Sequence, residues 1–185
     1  TGEMAATLET LHTQEVLSVA WSVDDNLLAS SSNAGVLHVV DVRSGDVAFS
    51  ATGLKPLSAV AFTRDGTRLV GGCLGKNIHV WDLRTMEPQF VPVRAHDAEI
   101  NCLSLSACGT LLATGGADNR VKVWGVSDSG LTEMACFTGH EDIVWGVALS
   151  ADGGTAASSS LDGTVRVWRV AGSNGEDDAR GGETR

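Results

Sequence analysis

His140, Ser158 and Asp162 are the residue types of a hydrolytic triad: a base, a nucleophile and a carboxylate to orient the base. The chain supplies little else for that chemistry. There is no G-x-S-x-G elbow to lift the serine out of its sheet. Thr114 stands where Ser158 would stand in an equivalent segment, with His96 and Asp118 in the matching places. A hydroxyl that serves equally well as Ser or Thr points to hydrogen bonding rather than nucleophilic attack. His38 and His79 also occupy equivalent positions, and a metal site there is conceivable, but Lys122 and Arg166 replace them further along. The segment GGCLGK at 71–76 lacks the order of a phosphate loop and lies between two strand-like runs. Cys73, Cys102, Cys108 and Cys136 form no C-x-x-C pair, so zinc and dithiol chemistry have no support. Three of the four lie in strand-like runs, where a free cysteine acts as a small hydrophobe; this reads as a reducing compartment. No catalytic, cofactor or metal site is expected.

These candidates are held in a repeated frame. LDGTVRVW at 161–168 is echoed by ADNRVKVW at 117–124, LGKNIHVW at 74–81 and, faintly, NAGVLHVV at 33–40. The phrases end at Val40, Trp81, Trp124 and Trp168, with spacings of 41, 43 and 44. Twenty-eight residues before each ending stand His12, Gly53, His96 and His140. Between them run VLSVAWS, LSAVAFT, INCLSLS and VWGVALS, each followed by a polar turn and a second short run (LLASSS, RLVGGC, LLATGG, TAASSS). A more ragged run precedes each histidine position: AATLETL, VAFSA, QFVPV and TEMACF. Pro88 and Pro92 suit an edge strand, where a missing N–H costs no ladder bond. Four short antiparallel strands per repeat of about 43 residues describe a propeller blade. No segment keeps a helical period, so a helical solenoid is excluded.

The 185 residues are 43% hydrophobic, with a formal net charge of -10. That acidity argues against nucleic-acid and anionic-membrane partners, which need a basic face. No apolar run approaches the length of a membrane span, and the N-terminus shows no secretory pattern, so an intracellular protein, cytoplasmic or nuclear, is expected.

On the recurring histidine, turn aspartate and strand-ending tryptophan, residues 1–170 resemble the WD-repeat β-propeller family. The resemblance implies an all-β fold with blades at 1–42, 43–83, 84–126 and 127–170, and an acidic flexible tail at 171–185. TGEMAATLETLH is similar to the continuation of a preceding repeat, so the chain reads as the last four blades of a larger open ring. A tight four-bladed ring, or an eight-bladed ring of two copies, are the alternatives. The resemblance also implies a buried network of His140, Ser158, Asp162 and Trp168 in blade four, and of His96, Thr114, Asp118 and Trp124 in blade three. Blade one keeps His12 and Ser30, and blade two keeps only Trp81, so both should rest on apolar packing and be softer. By the same resemblance the positions of His38, His79, Lys122 and Arg166 face solvent. Trp21, aligned with Phe62, Leu105 and Leu149, is a core residue, whereas Trp145, aligned with Leu17, Ser58 and Asn101, is exposed.

The function implied is a non-catalytic protein-interaction scaffold within a complex; a propeller hydrolase using His140, Ser158 and Asp162 is the alternative. Partners in this family sit where the loop before the first strand meets the turn after the second. That selects Glu15, Leu17 and Asn33; Pro56, Ser58 and Leu74; Glu99, Asn101 and Ala117; and Ile143, Trp145 and Leu161. Ile143, Trp145 and Leu161 make an apolar cluster suited to a peptide or loop with an apolar side chain, and Glu15 and Glu99 suit a basic one. Ring closure requires further blades or a second copy.

Overall fold

A computed structural model describes residues 2–3, 7–8 and 11–170. The tail at 171–185 and most of AATLETL lie outside the described residues. All regular structure within them is β, in four antiparallel meanders. The first sheet runs β1 (Val16–Trp21), β2 (Leu27–Ser32), β3 (Leu37–Asp41), β4 (Val47–Ala51). The second runs β5 (Leu57–Phe62), β6 (Arg68–Cys73), β7 (Asn77–Asp82), and then a broken outer strand. Its two pieces, β8 (Glu87–Pro88) and β9 (Val93–Arg94), both pair with β7. The third runs β10 (Ile100–Leu105), β11 (Leu111–Gly116), β12 (Val121–Ser127), β13 (Gly130–Phe137). The fourth holds β14 (Val144–Leu149), β15 (Thr155–Ser160) and β16 (Val165–Arg169), with no outer strand among the described residues. No helix among them is long and apolar enough to cross a membrane.

The first hairpin of each sheet is built alike. Ser22, Thr63, Ser106 and Ser150 directly follow the first strand, and each hydroxyl oxygen accepts the amide five residues on. In three sheets the same hydroxyl donates to an aspartate in the turn, Asp24, Asp65 or Asp152. In the third, Cys108 takes that place. The turn needs one left-handed residue, supplied by Asp25 in the first sheet and by Gly66, Gly109 and Gly153 in the others.

The sheets are offset from the sequence repeat. VAFSA opens the second repeat but is the outer strand of the first sheet, and TEMACF likewise completes the third. QFVPV, the ragged run expected at a sheet edge, falls mostly in the gap between β8 and β9, with Pro88 and Pro92 at its margins.

Apolar side chains pack between consecutive sheets. Ala29, Leu37 and Val39 meet Val60, Phe62, Leu69 and Trp81. Val70, Ile78 and Val80 meet Ile100, Leu112 and Trp124. Ala113 and Val123 meet Ala156, Leu149 and Trp168. Leu69 and Leu112 are fully buried, and each contributes roughly 1.5–3 kcal/mol by leaving water.

Trp21 departs from its expected core position and is 53% exposed. It lies on the face of the first sheet that, in every later sheet, packs on the sheet before. Val19 beside it is exposed for the same reason, as are Val165 and Val167 on the opposite face of the fourth sheet. Cys136 is also exposed, while Cys73 is buried and Cys102 half-buried; burial pushes the Cys102 thiol up to about 12.

Candidate protein-interaction surface and the network beneath it

In the third sheet, His96 Nδ1 lies 2.8 Å from Asp118 Oδ1, and His96 Nε2 lies 2.8 Å from Thr114 Oγ1. Trp124 Nε1 donates to the same Thr114 oxygen at 3.0 Å. The fourth sheet repeats this with His140 Nδ1 and Asp162 at 2.8 Å, His140 Nε2 and Ser158 at 2.8 Å, and Trp168 Nε1 donating to Ser158 at 2.8 Å. The amides of Asp97 and Glu141 donate to Asp118 and Asp162, which ties each loop to the following turn.

One proton arrangement satisfies all four groups. The indole N–H donates to the hydroxyl oxygen, the hydroxyl donates to Nε2, and Nδ1–H donates to the carboxylate. Burial holds the His96 pKa below its ordinary value despite Asp118 beside it, so at neutral pH the contact is a hydrogen bond to a carboxylate. Burial works against ionising Asp118, yet the Asp97 amide and His96 outweigh it and hold the carboxyl below its usual range. Asp162 is held low in the same way, with Thr164 and His140 opposing burial.

The polarity is that of a hydrolytic triad, but the reactive oxygen is enclosed. Ser158 is 3% exposed, and its oxygen already accepts the Trp168 indole proton. The hydroxyl is thus taken up by the network, between the Trp168 indole and His140.

The other two sheets keep fragments. His12 Nε2 lies 2.8 Å from Ser30 Oγ, but with Ala34 in the aspartate's place, His12 Nδ1 is buried without a partner among the described residues. In the second sheet Gly53, Gly71 and Gly75 replace the polar members, and only Trp81 remains.

Above this network the structure brings the expected surface residues together sheet by sheet. The amides of Asn33, Leu74, Ala117 and Leu161 donate to the carbonyls of Glu15, Pro56, Glu99 and Ile143, at 2.8–3.0 Å. The third member of each set, Leu17, Ser58, Asn101 or Trp145, sits at a β-bulge repeated in all four first strands. A bulge re-aims a side chain away from the regular pleat. Ser58 and Asn101 use this to donate to the carbonyls of Ile100 and Val144 in the next sheet. Leu17 and Trp145 make no such bond, and Trp145 is 55% exposed. Glu15, Asn33, Glu99 and Leu161 are exposed, and Pro56, Leu74, Ala117 and Ile143 half-buried.

Sequence reasoning missed the bulges and the ties between sheets. The only sequence signal for the ties was that the bulge position carried side-chain donors in the two middle repeats. The positions of His38, His79, Lys122 and Arg166, expected to face solvent, are instead half-buried. Two of them cover the ring of the tryptophan two residues on: His79 stacks on Trp81, and Lys122 Nζ sits 5.5 Å from the Trp124 ring centre.

The sequence matches the WD domain, G-beta repeat family four times, at residues 3–41, 46–82, 87–125 and 131–169. The chain belongs to the WD-repeat family. Its fold is a WD-repeat β-propeller arc of four blades. Over 144 residues it is 26% identical to a guanine nucleotide-binding protein subunit beta of Zea mays, covering 72% of this chain and 35% of that protein. It is 30% identical over 136 residues to a ribosome biogenesis protein WDR12 homolog of Nematostella vectensis, covering 72% and 32%. A poly(A)+ RNA export protein of Schizosaccharomyces pombe is 30% identical over 139 residues, covering 70% and 38%. This WD-repeat chain thus spans about a third of the length of these curated relatives.

Proposed function

We propose that this WD-repeat chain is a non-catalytic interaction scaffold, a rigid part of a larger protein complex, and that Ile143, Trp145 and Leu161 on the fourth blade anchor its partner. The observation that carries this reading is Trp145, half exposed at a bulge whose counterparts on the two preceding blades are turned into the molecule. Leu161 lies bonded to Ile143 at the same site. The partner is a peptide or loop with an apolar side chain for this cluster and a basic one for Glu15 or Glu99. The four-residue networks hold loop and turn together beneath this surface and carry no chemistry of their own. Further blades, or a second copy, cover the open faces around Trp21 and Val167. Relatives named for ribosome biogenesis and RNA export support a nuclear or cytoplasmic setting.

Trp145→Ala tests the assignment. Co-purification of the natural partner with the tagged chain should weaken at least ~10-fold, as loss of a buried tryptophan anchor predicts, with the melting temperature little changed. Undiminished capture, or a collapse in stability, would remove Trp145 from the site.

A further inference from the structure

The second blade has lost its polar network, and a cleft has opened beside the residue left behind. Between the outer parts of the first and second sheets lies a cavity of about 450 Å³. That is within the range of pockets that hold a side chain with its flanking backbone. Phe49, Phe90, Met86 and Pro92 supply apolar walls, and His79 and Trp81 lie together on its inner side.

Three departures from the neighbouring blades make this cleft. The covering residue is His79, where the third blade has Lys122, held over Trp124 and bonded to Glu133 at 2.8 Å. The shorter imidazole leaves room that the lysine stem fills. The outer strand is interrupted between β8 and β9, so β7 is not flanked by a continuous strand there. Finally, Gly53 stands where the third blade has His96, whereas the space over Gly71 is filled by Leu57 and the Trp81 ring. Gly53 lies between Thr52 and Leu54, both of which line the cleft.

The indole of Trp81 is also turned differently, with its six-membered ring rather than its N–H toward Gly71. Trp124 and Trp168 give their indole N–H to a hydroxyl. Trp81 is only 3% exposed, yet no group among the described residues accepts its N–H. The N–H itself is not enclosed, so solvent is left to satisfy it, and a ligand that brings an acceptor can take the place of that solvent. The imidazole of His79, whose pKa burial lowers, is also without a hydrogen-bond partner among the described residues. Among the lining residues Glu87 alone carries a charge, it is exposed, and the whole chain is strongly acidic.

We propose that this cleft is a second binding site, separate from the Trp145 surface, for a basic peptide segment of a partner protein. A bulky apolar side chain of the segment fills the cavity, a peptide carbonyl accepts the Trp81 indole N–H, and a lysine or arginine pairs with Glu87.

The test is a titration of the full ¹⁵N-labelled chain with acetyl-Lys-Phe-Lys-amide, following the indole N–H signals, with Trp81 assigned through Trp81→Phe. The Trp81 signal should move saturably, and the Lys-Ala-Lys and Glu-Phe-Glu analogues should bind at least ~10-fold more weakly. His79→Lys installs the side chain that the third blade already accommodates, and should close the cleft and weaken binding by ~10-fold or more. Glu87→Gln, an exposed change that leaves the fold intact, should cost about 3-fold and reduce the salt dependence. An unmoved Trp81 signal at saturating probe, equal binding of either control peptide, or an unchanged affinity in both variants would overturn the proposal.

Discussion

The third and first blades share a strand order and a turn geometry but differ in how their polar groups are satisfied. In the third, four side chains close a network in which every donor finds an acceptor. In the first, Val40 replaces the tryptophan and Ala34 the aspartate, and His12 keeps one bond of two. Both blades still bury leucine and valine on the neighbouring sheet. The network is therefore not what makes a blade. It fixes the loop that precedes the first strand to the turn that follows the second, and the apolar junction does the rest. The second blade shows the third possibility, in which the polar members are gone and space is left behind.

The largest effect should come from breaking the complete network at its middle. Thr114→Val removes the acceptor of Trp124 and the partner of His96 Nε2 at once. Two buried polar groups left unpaired should cost about 2–4 kcal/mol in urea unfolding. Ser30→Ala in the first blade, which strands only His12, should cost about 1 kcal/mol. Equal losses would show that the two blades rely on their hydroxyls alike.

Acid should separate the blades next. The lowered His96 pKa means stability that is present above its unfolded value and lost as pH falls below about 6.5. The lowered Asp118 pKa adds a second loss that begins below about 4, as the carboxylate is protonated. Both have the same sign, so unfolding midpoints should fall with pH in two stages. Asp118→Asn should shrink the lower stage, and what remains comes from Asp162 and the turn aspartates that are held low as well. A midpoint independent of pH between 7 and 3 would refute the linkage.

The smallest expected change repairs the first blade. Ala34→Asp offers His12 Nδ1 the carboxylate that its counterparts have, and should raise stability by about 0.5–1.5 kcal/mol in the same urea assay. A loss would mean that the turn at Ala34 does not bring a carboxylate within reach.

The repeat carried most of this architecture because each unit repeats the same problem with the same solution. The strand runs and the polar turns were legible from spacing, and the network of His96, Thr114, Asp118 and Trp124 was implied by the family resemblance. What failed to be legible depended on neighbours in space. Trp21 aligned with core residues, but alignment cannot reveal that no sheet among the described residues covers its face. His79 and Lys122 alternate with buried residues along their strand and so read as solvent-facing, yet the ring two positions on draws them inward. Ser58 and Asn101 read as surface because a one-residue bulge, invisible to a period of two, turned them toward the next sheet.

The offset between repeat and sheet has its own consequence. The second, third and fourth repeats each deliver their opening run to the sheet before and their remaining strands to their own. The unit that is copied in the gene is therefore not the unit that folds. A duplication of about 43 residues, wherever it is cut, restores a partner to every strand at the join, because the duplicated piece brings both halves of the splice. Loss of part of a repeat strips the outer strand from a neighbour that is itself intact in sequence. Arrays built this way grow and shrink by whole periods, and damage at one seam is felt on the other side of it.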